Sequence, residues 1–438
     1  MGPDGQKKLA LITFGCQMNK HDSEWIAGLL DDQYQLIDDH KHADLVIINT
    51  CAVRDKAEQK FFSLLGRLKP LKNKTESLII GIAGCVSQEL GANLLKRNPI
   101  IDFIVGPRAI NTIPNMLDNL ARTGEPQINI SDSNIFEEYP MNRDSKYSAW
   151  VSIMQGCDNH CAYCIVPYTR GLERSRKPDS ILKEIEGLAN NGYKEITLLG
   201  QNVNSYGAKE SDGIDFPQLL RAVNEVDGID RIRFMTSHPK DLNDRLIQTL
   251  AEFEKICPSV HLPLQSGSSR ILKAMSRGYT FEEYSSKINR LREAVPDLAL
   301  TTDIIVGYPG EKELDFNQTL AAISQIEYES IFLFKYSPRK GTPASIMTDE
   351  VPFNVISDRF LRLEKIQRVI SKKKYDNWVG RQTEIIVEGP SKKDPKKQSG
   401  RNPQNLMVHI DSDIDYTGTT LRVSITGSNM YSLKAEVV

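Results

Sequence analysis

Cys157-Asp158-Asn159-His160-Cys161-Ala162-Tyr163-Cys164 places three cysteines on one short stretch, with three residues and then two between them. Three thiolates this close can hold three irons of a cubic iron–sulfur cluster and leave the fourth iron without a protein ligand. An open metal position is where a substrate binds, whereas a closed one is usually structural or carries electrons. Other uses of clustered cysteines fit less well. A structural zinc site wants a second ligand pair at defined spacing, and none follows Cys164 for many residues. A ferredoxin run needs a fourth cysteine followed by proline, and a c-type haem needs His directly after the pair, where Ile165 stands. His160 reads as a loop residue rather than a ligand.

The surrounding chain of 438 residues predicts about three domains. A net charge of −2 gives no global basic field, so any nucleic-acid surface has to be local. No apolar run reaches membrane-spanning length, and the N-terminus lacks the charged-then-apolar pattern of a secretory signal. Seven cysteines, an odd number, point to metal ligands in a reducing compartment rather than to disulfides. A cytoplasmic protein that makes no membrane contact, and is a monomer, is the expectation.

Upstream, residues 8–121 alternate short apolar strands (8–13, 45–49, 78–83 and 103–105) with amphipathic helices. That pattern predicts a parallel sheet with helices on both faces. Cys16, Cys51 and Cys85 each come just after one of the first three strands. In an open parallel sheet the carboxyl ends share one edge, and ligands bind in the crevice there. Three cysteines distant in sequence are therefore expected to converge as a second cluster site, the alternative being three ordinary buried thiols. Residues 6–124 form this domain, and the polar, irregular stretch 125–147 reads as a linker.

Downstream, residues 148–370 repeat a strand-then-helix unit six times. Six units are too few for a closed eight-stranded barrel and suit a partial, open one. The three-cysteine stretch follows the first strand, at the edge where such folds do chemistry. From 375 to 438 the pattern becomes short β stretches, which predict a small five-stranded barrel of a type that often grips nucleic acid. Lys392, Lys393, Lys396, Lys397 and Arg401 lie between its first strands as a basic loop. They read as phosphate contacts or as a solvated loop.

The cysteine stretch, with an aromatic at Tyr163, resembles the cluster motif of radical S-adenosylmethionine (SAM) enzymes. Taken with Thr13-Phe14-Gly15-Cys16-Gln17-Met18-Asn19, Asn49-Thr50-Cys51, Gly84-Cys85, Pro167-Tyr168-Thr169-Arg170-Gly171, Gln201-Asn202-Val203 and Thr236-Ser237-His238-Pro239, nearly the whole chain resembles the radical SAM methylthiotransferases, and within them the MiaB group. The resemblance implies an α/β chain with an N-terminal parallel sheet domain, a partial (βα)6 radical SAM barrel and a TRAM-like β-barrel. It implies two [4Fe-4S] clusters, on Cys16/Cys51/Cys85 (auxiliary) and on Cys157/Cys161/Cys164. One SAM methylates a sulfide on the auxiliary cluster, and a second is cleaved to a 5′-deoxyadenosyl radical. The substrate is tRNA carrying N6-isopentenyladenosine at position 37, methylthiolated at C2, with an electron donor and a sulfur source as further partners. The alternative within the family is action on threonylcarbamoyl-adenosine tRNA or on a ribosomal protein.

Further residues follow from that resemblance. Gly200 and Gln201 occupy the position of a Gly-Gly-Glu motif that meets the SAM amine, although the glutamate is missing. Gln265 and Ser266 read as SAM-ribose contacts or as a polar turn. Asp303, between apolar neighbours, reads as a group near SAM or substrate or as half of a core ion pair. Arg170, Arg174 and Arg176 read as tRNA or carboxylate contacts or as a solvated face, and Cys257 as a core thiol.

Overall fold

The computed structural model describes residues 6–52, 55–132, 140–209, 213–391 and 394–438. The chain divides into two compact units. The first holds six parallel strands: β1 (Lys7–Phe14), β2 (Tyr34–Leu36), β3 (Leu45–Thr50), β4 (Ile79–Gly84), β5 (Phe103–Val105) and β6 (Gln127–Asn129). Their order is β2-β1-β3-β4-β5-β6. Helices α1 (Gln17–Leu30), α2 (Asp55–Lys74), α3 (Cys85–Arg97) and α4 (Ile113–Thr123) connect them.

Strand β3 shows why the sheet is covered twice. Val46 and Ile48 pack with Phe61, Leu64 and Leu68 of α2. Leu45 and Ile47 turn to the other side, with Trp25, Ile26 and Leu30 of α1. A strand buried on both faces reads as a continuous apolar run, and β3 does. Gly81 lets the sheet close up, because a Cβ there would lie 2.0 Å from the Phe103 ring.

Two strands go beyond the expectation. The edge strand β2 has only three residues, two of them exposed. The segment expected as a linker supplies β6, which pairs in parallel with β5. Three-residue strands carry too little alternation to be recognised as periodic.

The chain then runs through β7 (Ser148–Ser152), β8 (Met154–Gln155), α5 (Val166–Arg170), β9 (Arg174–Ser175), α6 (Pro178–Asn190), β10 (Glu195–Leu199), α7 (Phe216–Asn224), β11 (Arg231–Met235) and α8 (Asp244–Glu252). It continues with β12 (Ser259–His261), α9 (Ser269–Ala274), α10 (Phe281–Ala294), β13 (Ala299–Val306), α11 (Glu313–Ile326), β14 (Ser330–Lys335) and α12 (Phe353–Asp376). Residues 154–158 and 164–180 belong to the first unit. In the second, two parallel three-stranded sheets, β11-β10-β7 and β12-β13-β14, are joined by a parallel bridge between Ile232 and Ile256. These six strands form the partial barrel.

The same unit ends in a closed barrel of β15 (Gln382–Pro390), β16 (Lys397–Arg401), β17 (Met407–Asp411), β18 (Thr420–Ser428) and β19 (Leu433–Val437), ordered β15-β16-β17-β19-β18. Its core of Val387, Val408, Ile410, Val423 and Leu433 is closed by Tyr375 in the last turn of α12 and by Trp378 just after it. The expected basic loop is partly a strand, since Lys397 and Arg401 bound β16.

Two buried arginines tie this small barrel to β11. Arg231 donates to the carbonyls of Arg401 (2.8 Å) and Glu384 (3.0 Å). Arg233 donates to the carbonyls of Pro403 and Asn402, both at 2.8 Å, and to the Glu195 carboxylate at 2.8 Å. A lysine keeps the charge but not the planar fork. Arg233→Lys is therefore expected to cost about 1–3 kcal/mol, read as a lower urea midpoint. A midpoint equal to the wild type's would show that the fork contributes nothing.

Candidate metal centres and their surroundings

The six-stranded sheet reverses its winding between β1 and β3: β2 lies on one side of β1 and all later strands on the other. Ligands favour the carboxyl ends of strands at such a switch point. Phe14 pairs with Thr50, and Thr50 with Gly84, so β1, β3 and β4 end level. Cys16 caps α1, Cys51 follows β3, and Cys85 opens α3. The three thiols thus come to one edge. Gly15 approaches so closely that a Cβ on it would lie 2.9 Å from the Cys51 Cβ.

An asparagine pair braces this edge. Asn19 Nδ2 donates to Asn49 Oδ1 at 3.0 Å, and Asn49 Nδ2 donates back to the Asn19 carbonyl at 2.7 Å. Asn19 Oδ1 accepts from the Cys16 backbone N–H (3.2 Å) and thiol (3.4 Å). A Cβ on Gly84 would come within 2.4 Å of Asn49 Oδ1, and φ there is +92°, which favours glycine.

Charge gathers at the same edge. Arg170 is only 2% exposed and pairs with the equally buried Asp22 at 2.5 Å. Of the readings open for this arginine, the solvated face does not describe it. Its guanidinium stays protonated, held by Asp22 and the facing Cys85 and Cys16 against the opposing cost of burial. The Cys16 thiol falls to about 6, chiefly through its hydrogen bond with Cys51 and with help from Arg170, against the opposing effect of burial. Burial pushes the Cys85 thiol up.

Three atoms here have no hydrogen-bond partner although buried: Thr50 Oγ1, Ser87 Oγ and Arg170 Nη1. Three buried donors on residues at or next to a cysteine-lined edge suit an anionic, sulfide-rich group. Among the described residues, no three His, Cys, Asp or Glu side chains are set to hold one metal ion. A cube takes each thiolate on a different iron, so its ligands need not close on one point.

The second triplet is built differently. In the first unit, the Cys157 N–H donates to the Gly171 carbonyl at 3.1 Å. Gly156 passes so near that a Cβ would lie 2.0 Å from the Leu172 carbonyl oxygen. In the second unit, the Ala162 N–H donates to the Met275 carbonyl at 2.9 Å. Arg277, 5% exposed, donates from Nη1 to Cys161 Sγ and to the Tyr163 hydroxyl, both at 3.3 Å. Its other nitrogens hold the Tyr279 hydroxyl and the Pro263 carbonyl. Nothing in the sequence distinguished this arginine.

The carboxyl ends of the barrel strands carry polar groups in the same state. Asn204 after β10, Ser237 Oγ and His238 Nε2 after β11, Gln265 Oε1 after β12 and Tyr336 OH after β14 are buried without a hydrogen-bond partner. His238 is driven down to about 2 mainly by burial, then by Arg277, so its imidazole is neutral. Its Nδ1 accepts the Lys240 N–H at 3.2 Å, which leaves Nε2 as the donor. Such a rim suits a polar zwitterion with a ribose.

The other expected site residues fall out variously. Gly200 follows β10 and is buried, with the half-buried Gln201 next to it. Asn202 braces the neighbouring loop, donating to Asp241 at 2.7 Å and accepting the His238 N–H at 3.0 Å. Gln265 has φ +74° and pairs its backbone with β13. Ser266 is fully buried with its hydroxyl 3.3 Å from that of Thr319 in α11.

Asp303 stands 3.5 Å from His261. Arg176 is buried on Ser180, whereas Arg174 lies on the solvated surface, where it pairs with Asp132. Arg401 pairs with Glu388 (3.0 Å) and Lys397 with Asp411 (3.6 Å), which tempers the basic patch. Lys392 and Lys393 lie outside the described residues. Cys257 is a buried thiol, pushed up by burial.

Comparison with known proteins agrees with this layout. Residues 8–106 match the model described as Uncharacterized protein family UPF0004, and residues 151–323 match the Radical SAM superfamily, which implies SAM and a [4Fe-4S] cluster. A tRNA-2-methylthio-N(6)-dimethylallyladenosine synthase from Clostridium novyi (strain NT) is 46% identical, covering 99% of this chain and 97% of its own. One of the same name from Acetivibrio thermocellus is 46% identical, over 99% of this chain and 92% of its own. In fold, the chain is similar to a radical S-adenosylmethionine methyltransferase, TsrM, from Kitasatospora setae. The TM-score is 0.58 and the identity 15%, covering 78% of this chain and 77% of that one. Near-complete coverage of both chains at this identity makes the chain a member of the tRNA-2-methylthio-N(6)-dimethylallyladenosine synthase family of radical SAM enzymes.

Proposed function

We propose that this protein converts N6-dimethylallyl (isopentenyl) adenosine in tRNA to its 2-methylthio derivative. The observation that carries the reading is the second triplet: a cleavage site alone generates a radical, whereas sulfur transfer needs a place to hold sulfur. When bound, SAM and the two clusters supply a reducing electron, a radical and a methylated sulfur. Cys157, Cys161 and Cys164 hold one cluster, and Cys16, Cys51 and Cys85 hold the other. Arg277 orients Cys161 and Tyr163, while Arg170 directs a positive charge at the auxiliary edge. The polar rim of Ser237, His238 and Gln265, with Gly200 and Gln201 beside it, receives SAM. An electron donor and a sulfur source complete the reaction, in a cytoplasmic monomer. No helix among the described residues is long and apolar enough to cross a membrane.

The test is a nucleoside mass spectrum after anaerobic reconstitution with iron and sulfide, then SAM and a strong reductant. A methylthio product on the alkylated tRNA, and none on the unalkylated tRNA, is expected. SAM cleavage with untouched RNA would redirect the assignment to threonylcarbamoyl-adenosine or a protein substrate.

Lys396 and Lys397 flank the start of β16 and meet phosphates in this reading. Their double replacement by Ala should weaken tRNA binding and lower the slope of log K against log salt by about 1 to 2. An unchanged slope would remove the small barrel's basic patch from the RNA path.

A further inference from the structure

Strand β13 has two unlike faces. Leu300, Thr302, Ile304 and Val306 are fully buried. Thr301, Asp303 and Ile305, the alternate residues, are all partly open. Their register partners on β14 are Ser330, Phe332 and Phe334. Phe332 is 46% exposed, while Lys335 turns to the opposite side and donates to Ser357 of α12 at 2.8 Å.

In a closed barrel the inward face is filled by packed side chains. Here it carries an open phenylalanine beside a carboxylate. His261 joins them from β12, its ring 5.5 Å from that of Phe332 at 79°. Its Nδ1 lies 3.0 Å from Thr301 Oγ1, which fixes the ring. Its Nε2 stands 3.5 Å from Asp303 Oδ1, too long for a full hydrogen bond. The carboxylate therefore keeps acceptor capacity, and the phenylalanine keeps a bare ring. A ring face with a directed acceptor beside it is how extruded bases are read.

We propose that this face is the subsite for the target base, an inference that rests on the tRNA reading above. The purine stacks on Phe332, and Asp303 accepts the single N6–H that an alkylated adenine retains. The dimethylallyl group lies along Ile305 and Phe334. SAM also carries an adenine, but its N6 is unsubstituted and has no use for the apolar pair. The polar rim matches SAM better. Asp303 thus serves the substrate in this assignment.

The test measures binding to the cluster-loaded protein of an anticodon stem-loop RNA containing N6-dimethylallyladenosine, and of its unalkylated counterpart, by fluorescence anisotropy. SAM binding is measured in parallel by equilibrium dialysis. Wild type should prefer the alkylated RNA. Phe332→Ala should lose about tenfold or more in affinity for it and most of the preference, whereas Phe332→Trp should retain both. Asp303→Ala should weaken the alkylated RNA in the same direction. Phe332→Ala with the wild-type preference intact overturns the assignment. So does a variant whose SAM affinity falls while its RNA preference stands. If wild type shows no preference, the substrate reading falls and the subsite with it.

Discussion

Cys16→Ala should remove about half of the iron and bring the methylthio product to background, while SAM is still cleaved on reduction. Cys16, Cys51 and Cys85 lie at the ends of three adjacent strands in one unit, and in the proposed reading each would supply one ligand to a cube with one iron left open. Losing one of three anchors would leave two thiolates beside the buried donors Arg170 Nη1, Thr50 Oγ1 and Ser87 Oγ. The Cys157, Cys161 and Cys164 triplet lies on a separate stretch, where Arg277 meets Cys161 and the Met275 carbonyl accepts from Ala162. The converse variant, Cys161→Ala, should abolish SAM cleavage and product together. Cys257→Ala is the control. That thiol is buried outside both triplets, so iron content should hold and stability should fall only modestly. The measurements are iron per protein, the Mössbauer spectrum of the retained cluster, 5′-deoxyadenosine yield and the nucleoside spectrum. Full iron in Cys16→Ala, or surviving product, would sink the division of labour.

What was legible in the chain follows from how local its causes are. The Cys157 stretch is a single loop, so spacing alone carries it. Cys16, Cys51 and Cys85 were legible for another reason: apolar runs mark strands, a parallel sheet puts all strand ends on one edge, and each cysteine follows a run. β2 and β6 were hidden by length, and β16 by composition, because Lys397-Gln398-Ser399-Gly400-Arg401 has no apolar alternation. Its pairing comes from closing a barrel rather than from its own pattern. Side-chain partnerships were least legible. Ser266 faces Thr319 across 53 residues, and a buried arginine is spelled like a solvated one. Arg277 stands in no motif, and its place on Cys161 depends on the loop after α9 returning to the strand ends.

Arg170 gives the sharpest test of that last class. Its partner Asp22 lies 148 residues away, and both side chains are almost fully shielded, at 3% and 4% exposure. Burial pushes the Asp22 carboxyl up, and only Arg170 counters it. Removing one member of such a pair strands a charge where water cannot reach it, which typically costs about 3–5 kcal/mol. Arg170→Met keeps much of the side-chain volume and should therefore destabilise the protein by that order. Asp22→Asn in the same background should recover part of the loss, with a coupling of about 1–3 kcal/mol in the double-mutant cycle. A purely structural pair would end there. Arg170 also faces Cys85 and carries an unpartnered Nη1 at the cysteine edge. The double variant, though stabilised, should then still release auxiliary iron faster under a chelator, and its auxiliary cluster should be reduced at a lower potential. A positive charge beside the cluster favours the more negative, reduced state, so removing it lowers the potential. Arg170→Lys restores the charge and should move the potential back. If the double variant recovers stability and matches wild type in iron loss and potential, Arg170 is only a strut for Asp22. If Arg170→Met lies within about 0.5 kcal/mol of wild type, the pair does not stabilise the fold at all.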